Sequence, residues 1–374
     1  MRPHEPERWP GAIIGLSGTM NPVERAVRRV DAAQQRHTAT AFAVGVAKKF
    51  GDDNGGILVA SLAHSAFVSL FPLLLVLVTL LGLVAAGNPG LRQAALDAVA
   101  QQVPLIGHQL TSNVDKLRRS SVIGLIVGLL ATVWGSTGLA QSGMFTMEQV
   151  WNLPGPARPG YLQRLVRAIL FLGVLGLGVI ATTLLTSLDT YGHHAITIVV
   201  LAETLALLTN CGMYVTSFRV LTPKGIPTRN LVPGAIAGGI AWTLMQALGT
   251  YVIHHFLRSD SVYGVFATVL GLVGWLYIGV EITVYAAEIN VVAARRLWPR
   301  SIVQPPLTEA DRAVMAVQAL QNQRREEEHV EVSFADRPPD AAPSANTPRT
   351  PEEIAPPAKP PGPAGPGGPV PQGR

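Results

Sequence analysis

Two glutamates stand inside long apolar stretches of the sequence, where an ionised carboxylate is unusual. Glu203 lies about seven residues into one stretch, and Glu281 lies near the middle of another. A charged side chain at the centre of a bilayer is costly, so such groups tend to face a cavity or a partner. No Lys or Arg lies in the interior of these stretches, since Arg219 stands at the end of the first one. Each carboxylate must therefore be protonated, solvated in a cavity, or hydrogen-bonded to a neutral group.

Candidate partners for these carboxylates are the neutral polar residues of the apolar stretches, His64, Asn210, Gln246 and Asn290. We select His64, Asn210 and Gln246, which together with Glu203 and Glu281 form a candidate internal polar path. For Glu281, a role in a functional cavity and a structural hydrogen bond are both open. Glu288 lies two helical turns after Glu281, where Arg295 or Arg296 could pair with it.

The sequence lacks the residue sets of the common catalytic centres. Its single cysteine, Cys211, excludes an intrachain disulfide and a cysteine-based zinc site. Neither histidine pair, 193–194 or 254–255, can chelate one ion by itself, because adjacent helical residues point about 100° apart. For these two pairs, a position at the membrane interface is favoured over a shared metal site. No nucleophile with a neighbouring base is recognisable in the sequence. We therefore expect no enzyme, no catalytic residue, no metal and no other cofactor.

Six apolar stretches are each long enough to cross a bilayer as a helix, which takes about 20 residues. Charged residues make up only 14% of the 374 residues, against roughly 25% in soluble domains. Apolar strands of soluble proteins are typically about 4–8 residues long, so the longer stretches indicate membrane helices. The sequence predicts an all-α polytopic membrane domain at 57–294, with spans at 57–86, 122–145, 165–188, 196–220, 231–257 and 262–294.

The distribution of Lys and Arg predicts the orientation of these spans. Placing both termini in the cytoplasm puts 24 of the 29 basic residues on that side, as the positive-inside rule requires. The sequence therefore predicts a multi-pass protein of the cytoplasmic (inner) membrane.

The two ends of the chain are polar. Residues 1–56 form an N-terminal segment with a basic amphipathic helix from Pro22, in which Val23 and Val30 share a side apart from Arg25. This helix could pack on the protein or lie on an anionic membrane surface, and both alternatives are open.

The C-terminal part of the chain has two predicted sections. In the cytoplasmic segment 295–337, Thr308 and Asp311 have the spacing of a capping box that opens a short helix through about Arg325. Residues 338–374 contain 13 of the 29 prolines, which predicts a disordered tail.

Several sequence blocks, in the same order along the chain, resemble those of the YihY/virulence factor BrkB family. They are LAHSAFVSLFPLLL (62–75), WGSTGL (134–139), FRVLTP (218–223), PGAIAGGIAW (233–242), YG (263–264) and WLYIGVEITVYAAEIN (275–290). The resemblance implies a six-helix inner-membrane protein. The positions that match the family pattern are Ser69, Pro72, Trp134, Arg219, Pro223, Pro233, Gly234, Trp242, Tyr251, Tyr263, Gly264, Trp275, Tyr277, Glu288 and Asn290.

Members of this family have carried a ribonuclease label, which these residues do not support. A metal-dependent nuclease needs carboxylates and histidines that converge on divalent ions and a basic path for phosphates. We expect no nucleic-acid partner. The favoured function is a transporter or translocator of lipids or other envelope amphiphiles, with membrane lipids as its partners. The alternative is a non-transporting scaffold or envelope-assembly factor that binds a protein partner through its C-terminal tail.

Overall fold

The computed structural model describes residues 22–84, 122–189, 196–256, 264–304 and 306–334. Within these ranges the chain is helical and contains no β-strand. The described α-helices are α1 (Pro22–Arg36), α2 (Thr38–Asp52), α3 (Gly55–Val84), α4 (Val122–Val150), α5 (Tyr161–Asp189), α6 (Ile196–Leu221), α7 (Val232–Phe256), α8 (Gly264–Arg295) and α9 (Glu309–Gln321).

Helices α3 to α8 coincide with the six predicted apolar stretches. The shortest has 25 residues, which at 1.5 Å per residue exceeds the roughly 30 Å hydrocarbon core. Among the described residues, three helices contain segments long and apolar enough to cross a membrane: Tyr161–Gly178, Val232–Gly249 and Val269–Arg295. A shorter apolar segment, Gly55–Leu70, lies in α3. The described part of the protein is thus all-helical with membrane-capable helices, while six spans and two cytoplasmic termini remain predictions.

The six long helices form a closed ring in chain order. Each packs against the next, from α3 to α8, and α8 then packs against α3. Helix α4 also contacts α6 and α8 across the ring, so part of its centre is filled by protein. The first and last long helices are therefore neighbours.

Tight packing is concentrated at one end of the ring, which we call the polar end. It is formed by the last turns of α2, α4, α6 and α8 and the segments that follow them. Fully buried apolar side chains meet here from all four regions, including Val46, Met147, Phe218 and Val291. Their burial fixes the relative positions of the helix ends.

In contrast to the polar end, the middle of the ring has an apolar outer surface. Large aliphatic side chains on α5 to α8 are exposed, among them Leu177, Leu201, Leu244 and Leu270. Exposed leucines on successive helices form a surface suited to hydrocarbon rather than to water.

Three short helices cover the polar end. Helix α1 begins at Pro22, where the basic helix of the N-terminal segment is predicted to begin, and a second helix, α2, follows it. The capping box before α9 is present, with Thr308 and Asp311 each accepting from the other's backbone N–H. Helix α9 ends at Gln321, four residues before the predicted end, because the chain turns so that the Gln323 carbonyl can accept a hydrogen bond from Gly155 N–H. The predicted tail, 338–374, lies outside the described residues.

Candidate functional site

A groove of about 230 Å³ lies between α7 and α8. It falls within the membrane-capable segments of both helices. Its wall is apolar apart from the carboxylate of Glu281 and the side chain of Tyr285. The lining residues are Ala237, Gly238, Ala241, Ile278, Glu281, Ile282, Tyr285, Ala286 and Ile289.

Small residues of α7 determine one end of the groove. A methyl group added to Gly234 would overlap the carbonyl oxygen of Ala286 on α8, and one added to Gly238 would come within 2.8 Å of the Tyr214 ring. The Gly234 N–H donates a hydrogen bond of 2.7 Å to Asn290 Oδ1. The GxxxG spacing of Gly234 and Gly238 therefore allows the close helix contact typical of membrane bundles.

Two tryptophans lie over glycines at the other end of the groove. The Trp242 ring of α7 lies 2.6 Å from where a β-carbon on Gly279 of α8 would be. Likewise, a β-carbon added to Gly249 of α7 would overlap the Trp275 ring of α8. The groove is thus bracketed along α7 and α8 by two tight helix contacts.

Glu281 is the charged residue of the groove. It is half-buried, and no hydrogen bond or ion pair engages it within the part of the chain that the structure describes. Ile278, one turn earlier, is 49% exposed on the outer side of α8. One turn later, Tyr285 stacks on Phe50 of α2, with ring centroids 4.2 Å apart. A carboxylate in such an apolar groove can bind a cationic or hydroxyl-bearing group that enters from the membrane side.

The five residues of the predicted polar path do not share this groove. Asn210 of α6 is buried and donates hydrogen bonds to Thr243 Oγ1 at 2.9 Å and to Gln246 Oε1 at 3.4 Å. Glu203 and His64 are exposed on α6 and α3. The structure therefore brings Asn210 and Gln246 together and places Glu281 in the groove, and one continuous path remains a prediction.

A buried ionic cluster lies at the polar end, two turns beyond Glu281 on α8. Glu288 is fully buried, and its carboxylate lies 3.6 Å from Lys49 Nζ of α2. Lys49 also pairs with Asp53 and donates a 3.0 Å hydrogen bond to the Val150 carbonyl. The partner suggested by the sequence, Arg295 or Arg296, is thus replaced by Lys49. Buried charges require such pairing because desolvation of a lone ion is very costly.

Arg295 makes different contacts in the same region. Its Nη2 donates a 2.6 Å hydrogen bond to the Trp151 carbonyl, and its guanidinium lies 5.8 Å from the Trp151 ring centroid. Asn152 adopts φ 46° at the end of α4, where an asparagine is well tolerated. Its amide then donates 3.0 Å hydrogen bonds to Asp53 and Gln321. These contacts join α2, α4, α8 and α9.

The sequence analysis missed Lys49 because this residue entered it only in the count of basic residues on the cytoplasmic side. The spacing of Lys49 and Asp53, four residues apart, is a local signal for an ion pair on a helix. No local signal connects either residue to Glu288.

A second charged cluster, around Arg300, joins α1, α2 and α9. Arg300 donates hydrogen bonds to Asp311 at 2.8 Å and to Asp52 at 2.6 Å. Burial raises the pKa of Asp311, but hydrogen bonds from the Ser301 N–H, Thr308 and Arg300 outweigh it and lower the pKa overall. For Asp31, burial also acts to raise the pKa, and hydrogen bonds led by that of the Ile302 N–H lower it to about 2.

The remaining family-pattern positions have mostly structural contacts. Ser69 hydrogen-bonds the Ala66 carbonyl at 2.8 Å, and Arg219 hydrogen-bonds the Ile226 carbonyl at 2.7 Å. Pro223 is buried, Pro233 and Tyr277 are exposed, and Gly264 begins α8. Outside the described part are Tyr263 and the side chains of Pro72, Trp134 and Tyr251.

No group of three His, Cys, Asp or Glu side chains converges as a metal-ligand set among the residues that the structure describes.

Comparison with known proteins identifies relatives over most of the chain. The sequence profile of the family described as Virulence factor BrkB matches residues 46–307. A UPF0761 membrane protein of Alcanivorax borkumensis is 26% identical over 256 residues, which cover 67% of this chain and 59% of the relative. A UPF0761 membrane protein of Pseudomonas paraeruginosa is 25% identical over 279 residues, covering 71% and 66%. A third, from a Psychrobacter species, is 22% identical over 287 residues, covering 71% and 51%.

The chain spans between 51% and 66% of the length of these three relatives. No solved structure matches it. The matched residues include the α7–α8 groove and the ionic cluster of Lys49, Asp53 and Glu288. With its apolar helices and a family match over most of its length, this chain belongs to the virulence factor BrkB family of membrane proteins.

Proposed function

We propose that this protein translocates phospholipids or other envelope amphiphiles, and that the α7–α8 groove carries their polar headgroups. The observation that supports this most directly is Glu281, a carboxylate with no described partner in an otherwise apolar groove within membrane-capable segments. Intramembrane ionisable residues are rare, and by default they indicate a functional path.

The shape of the groove fits a lipid better than a free hydrophilic solute. Exposed aliphatic residues continue from the groove onto the outer faces of both helices, among them Ile240, Leu244 and Ile278. Acyl chains could remain against this surface while the headgroup contacts Glu281 and Tyr285. A headgroup in the groove would replace part of the solvation that the carboxylate loses there.

The proposed orientation places the polar end in the cytoplasm of the cell. The segments that follow α4, α6 and α8 meet at this end, and they carry most of the basic residues between and after the long helices. An excess of Lys and Arg is characteristic of cytoplasmic loops. The protein would then be a multi-pass protein of the cytoplasmic membrane.

The test is phospholipid movement in proteoliposomes. A fluorescent phospholipid is present in both leaflets, and a membrane-impermeant reducing agent then bleaches whichever molecules reach the outer leaflet. We expect bleaching beyond that of protein-free vesicles with the unmodified protein, and a strong reduction with Glu281→Gln.

A matched pair of substitutions separates the groove from general effects on α7. Ala241→Leu places a larger side chain in the groove, whereas Ala247→Leu adds the same atoms at an exposed position of the same helix. We expect Ala241→Leu to reduce lipid movement and Ala247→Leu to leave it unchanged. If folded, unmodified protein moves no lipid, the translocator proposal is wrong, and the scaffold alternative becomes the one to test by truncating the tail.

A further inference from the structure

Helix α1 is held to the rest of the protein by polar contacts on one side. Asp31 is buried and accepts a 3.0 Å hydrogen bond from the Ile302 N–H. Gln34 is buried beside it and donates a 2.8 Å hydrogen bond to the Arg300 carbonyl. The docked side of this helix is therefore a polar side, although the helix also has an apolar stripe.

The apolar stripe of α1 is left exposed. Val23 is 66% exposed and Val30 is 61% exposed, and Ala26 and Ala33 are exposed as well. Positions 23, 26, 30 and 33 follow one another at three- and four-residue intervals, so they lie along one side of the helix. A helix that only packed on this protein would be expected to bury these residues, and it buries Asp31 and Gln34 instead.

Positive charge lies beside this stripe. Arg25, Arg29 and Arg36 are exposed, and no carboxylate of the described chain forms an ion pair with them. Both acidic residues of α1 are already engaged, Glu24 with Arg28 at 3.0 Å and Asp31 with the backbone at Ile302. The outward charge of the helix is therefore basic.

The fold also keeps α1 close to the membrane-capable helices. A single residue, His37, separates α1 from α2, and α2 packs along the last turns of α8 through its Phe50–Tyr285 and Lys49–Glu288 contacts. Exposed aliphatic residues flanked by arginines are the composition of helices that lie in an anionic membrane interface.

We infer that α1 is an interfacial helix, whose exposed side of Val23, Ala26, Val30 and Ala33 rests on anionic phospholipids while Arg25 and Arg29 contact their phosphates. The polar contacts of Asp31 and Gln34 hold the helix in this position. This inference is independent of whether the protein moves lipids.

The test uses the full chain in lipid nanodiscs and a fluorescent label at a single cysteine. Cys211 is first replaced by Ala, and the label is attached at Val30→Cys or, as a matched control, at Ala32→Cys. Both positions are exposed, but they lie on different sides of α1. The nanodiscs contain phosphatidylcholine alone or phosphatidylcholine with phosphatidylglycerol, and a lipid carrying a quencher in its acyl chain reports contact.

We expect the label at position 30 to be quenched in the nanodiscs that contain phosphatidylglycerol, and the label at position 32 to be quenched much less. The quenching should be lost in phosphatidylcholine alone and in Arg25→Gln/Arg29→Gln protein. The double change Arg324→Gln/Arg325→Gln, which removes the same charge at exposed positions after α9, should leave it intact. Equal quenching at positions 30 and 32, no quenching at position 30, or quenching that does not depend on phosphatidylglycerol would overturn the inference.

Discussion

The polar end and the middle of the helix ring bury opposite kinds of residue. At the polar end, charged side chains such as Lys49, Glu288 and Arg300 are almost completely buried. In the middle of the ring, leucines such as Leu177 and Leu244 are more than 60% exposed. A soluble protein shows neither pattern, because there buried residues are mostly apolar and exposed residues mostly polar.

The difference shows which contacts the protein must provide for itself. A bilayer surrounds the exposed leucines with hydrocarbon, so the middle of the ring needs only close helix contacts of the Gly234 and Gly238 kind. At the polar end no bilayer surrounds the side chains. The buried charges there depend on specific partners in other segments of the chain. We therefore expect substitutions to have larger effects at the polar end than on the outer surface of the ring.

The largest effect should come from Lys49→Met. This change leaves Glu288 and Asp53 buried without their cation, and breaking a buried ion pair in this way destabilises proteins by about 3–5 kcal/mol. Lys48→Met is the matched control, because Lys48 is partly exposed and lies 3.5 Å from its carboxylate partner, Asp311. Thermal unfolding in detergent measures both variants. Equal losses of stability would contradict the importance that we assign to the buried cluster, and adding Glu288→Gln to Lys49→Met should restore part of the stability.

The next prediction compares one leucine from each region. Leu231 is 1% exposed in the core of the polar end, and its replacement by Ala should lower the free energy of unfolding by about 2–5 kcal/mol. Leu244 is 65% exposed on α7, and its replacement by Ala should change that free energy by about 0.5 kcal/mol or less. The same unfolding measurement tests both. A larger loss for Leu244→Ala would mean that protein, rather than lipid, covers that surface.

A smaller effect is expected from Gly234→Ala, which tests the close contact of α7 and α8. The new methyl group would overlap the Ala286 carbonyl, and overpacking of this kind costs about 1–3 kcal/mol. Gly274→Ala on α8 adds the same methyl group where no atom beyond its chain neighbours and the local helix backbone lies within 4 Å. It should change the stability by no more than about 0.5 kcal/mol. If both variants unfold at the temperature of the unmodified protein, α7 and α8 can move apart at Gly234 with no measurable loss of stability.

The smallest effect concerns Asp31 and pH. Its pKa is about 2 in the folded protein, below the roughly 3.9 of an unfolded chain. Between these values the unfolded state binds more protons, so the contribution of Asp31 to stability is present above about pH 4 and is lost as the pH falls toward 2. Asp31→Asn should therefore weaken the decrease in melting temperature over this range. An unchanged pH profile would show that α1 does not depend on this carboxylate.

Local patterns in the sequence predict much of the fold. The six long helices follow the apolar stretches, and the spacing of Thr308 and Asp311 predicts the start of α9. The GxxxG of Gly234 and Gly238 predicts a close helix contact, which the structure places against α8 and Tyr214. Each of these signals lies within a few turns of one helix.

The candidate site could be predicted only in part because it depends on residues far apart in the chain. Glu281 is conspicuous as a charge in an apolar stretch, but the groove around it depends on the small side chains of Ala237 and Ala241 on another helix. The pairing of Glu288 with Lys49 joins the last long helix to α2, and a single sequence gives no indication of it. Helix α2 itself was not predicted, because its apolar run, residues 41–47, is much shorter than a membrane span.

The pairing of Lys49 with Glu288 has a consequence for the synthesis of the chain. The ribosome adds 239 residues between these two positions, which takes roughly 10–50 seconds at bacterial and eukaryotic rates. Throughout that interval Lys49 can pair with Asp53, but the carboxylate of Glu288 that completes their buried environment does not yet exist. Assembly of the polar end is therefore completed late, only after α8 has left the ribosome. A nascent chain that stops before α8 leaves this ionic cluster incomplete, by which quality-control proteases can distinguish it from the finished protein.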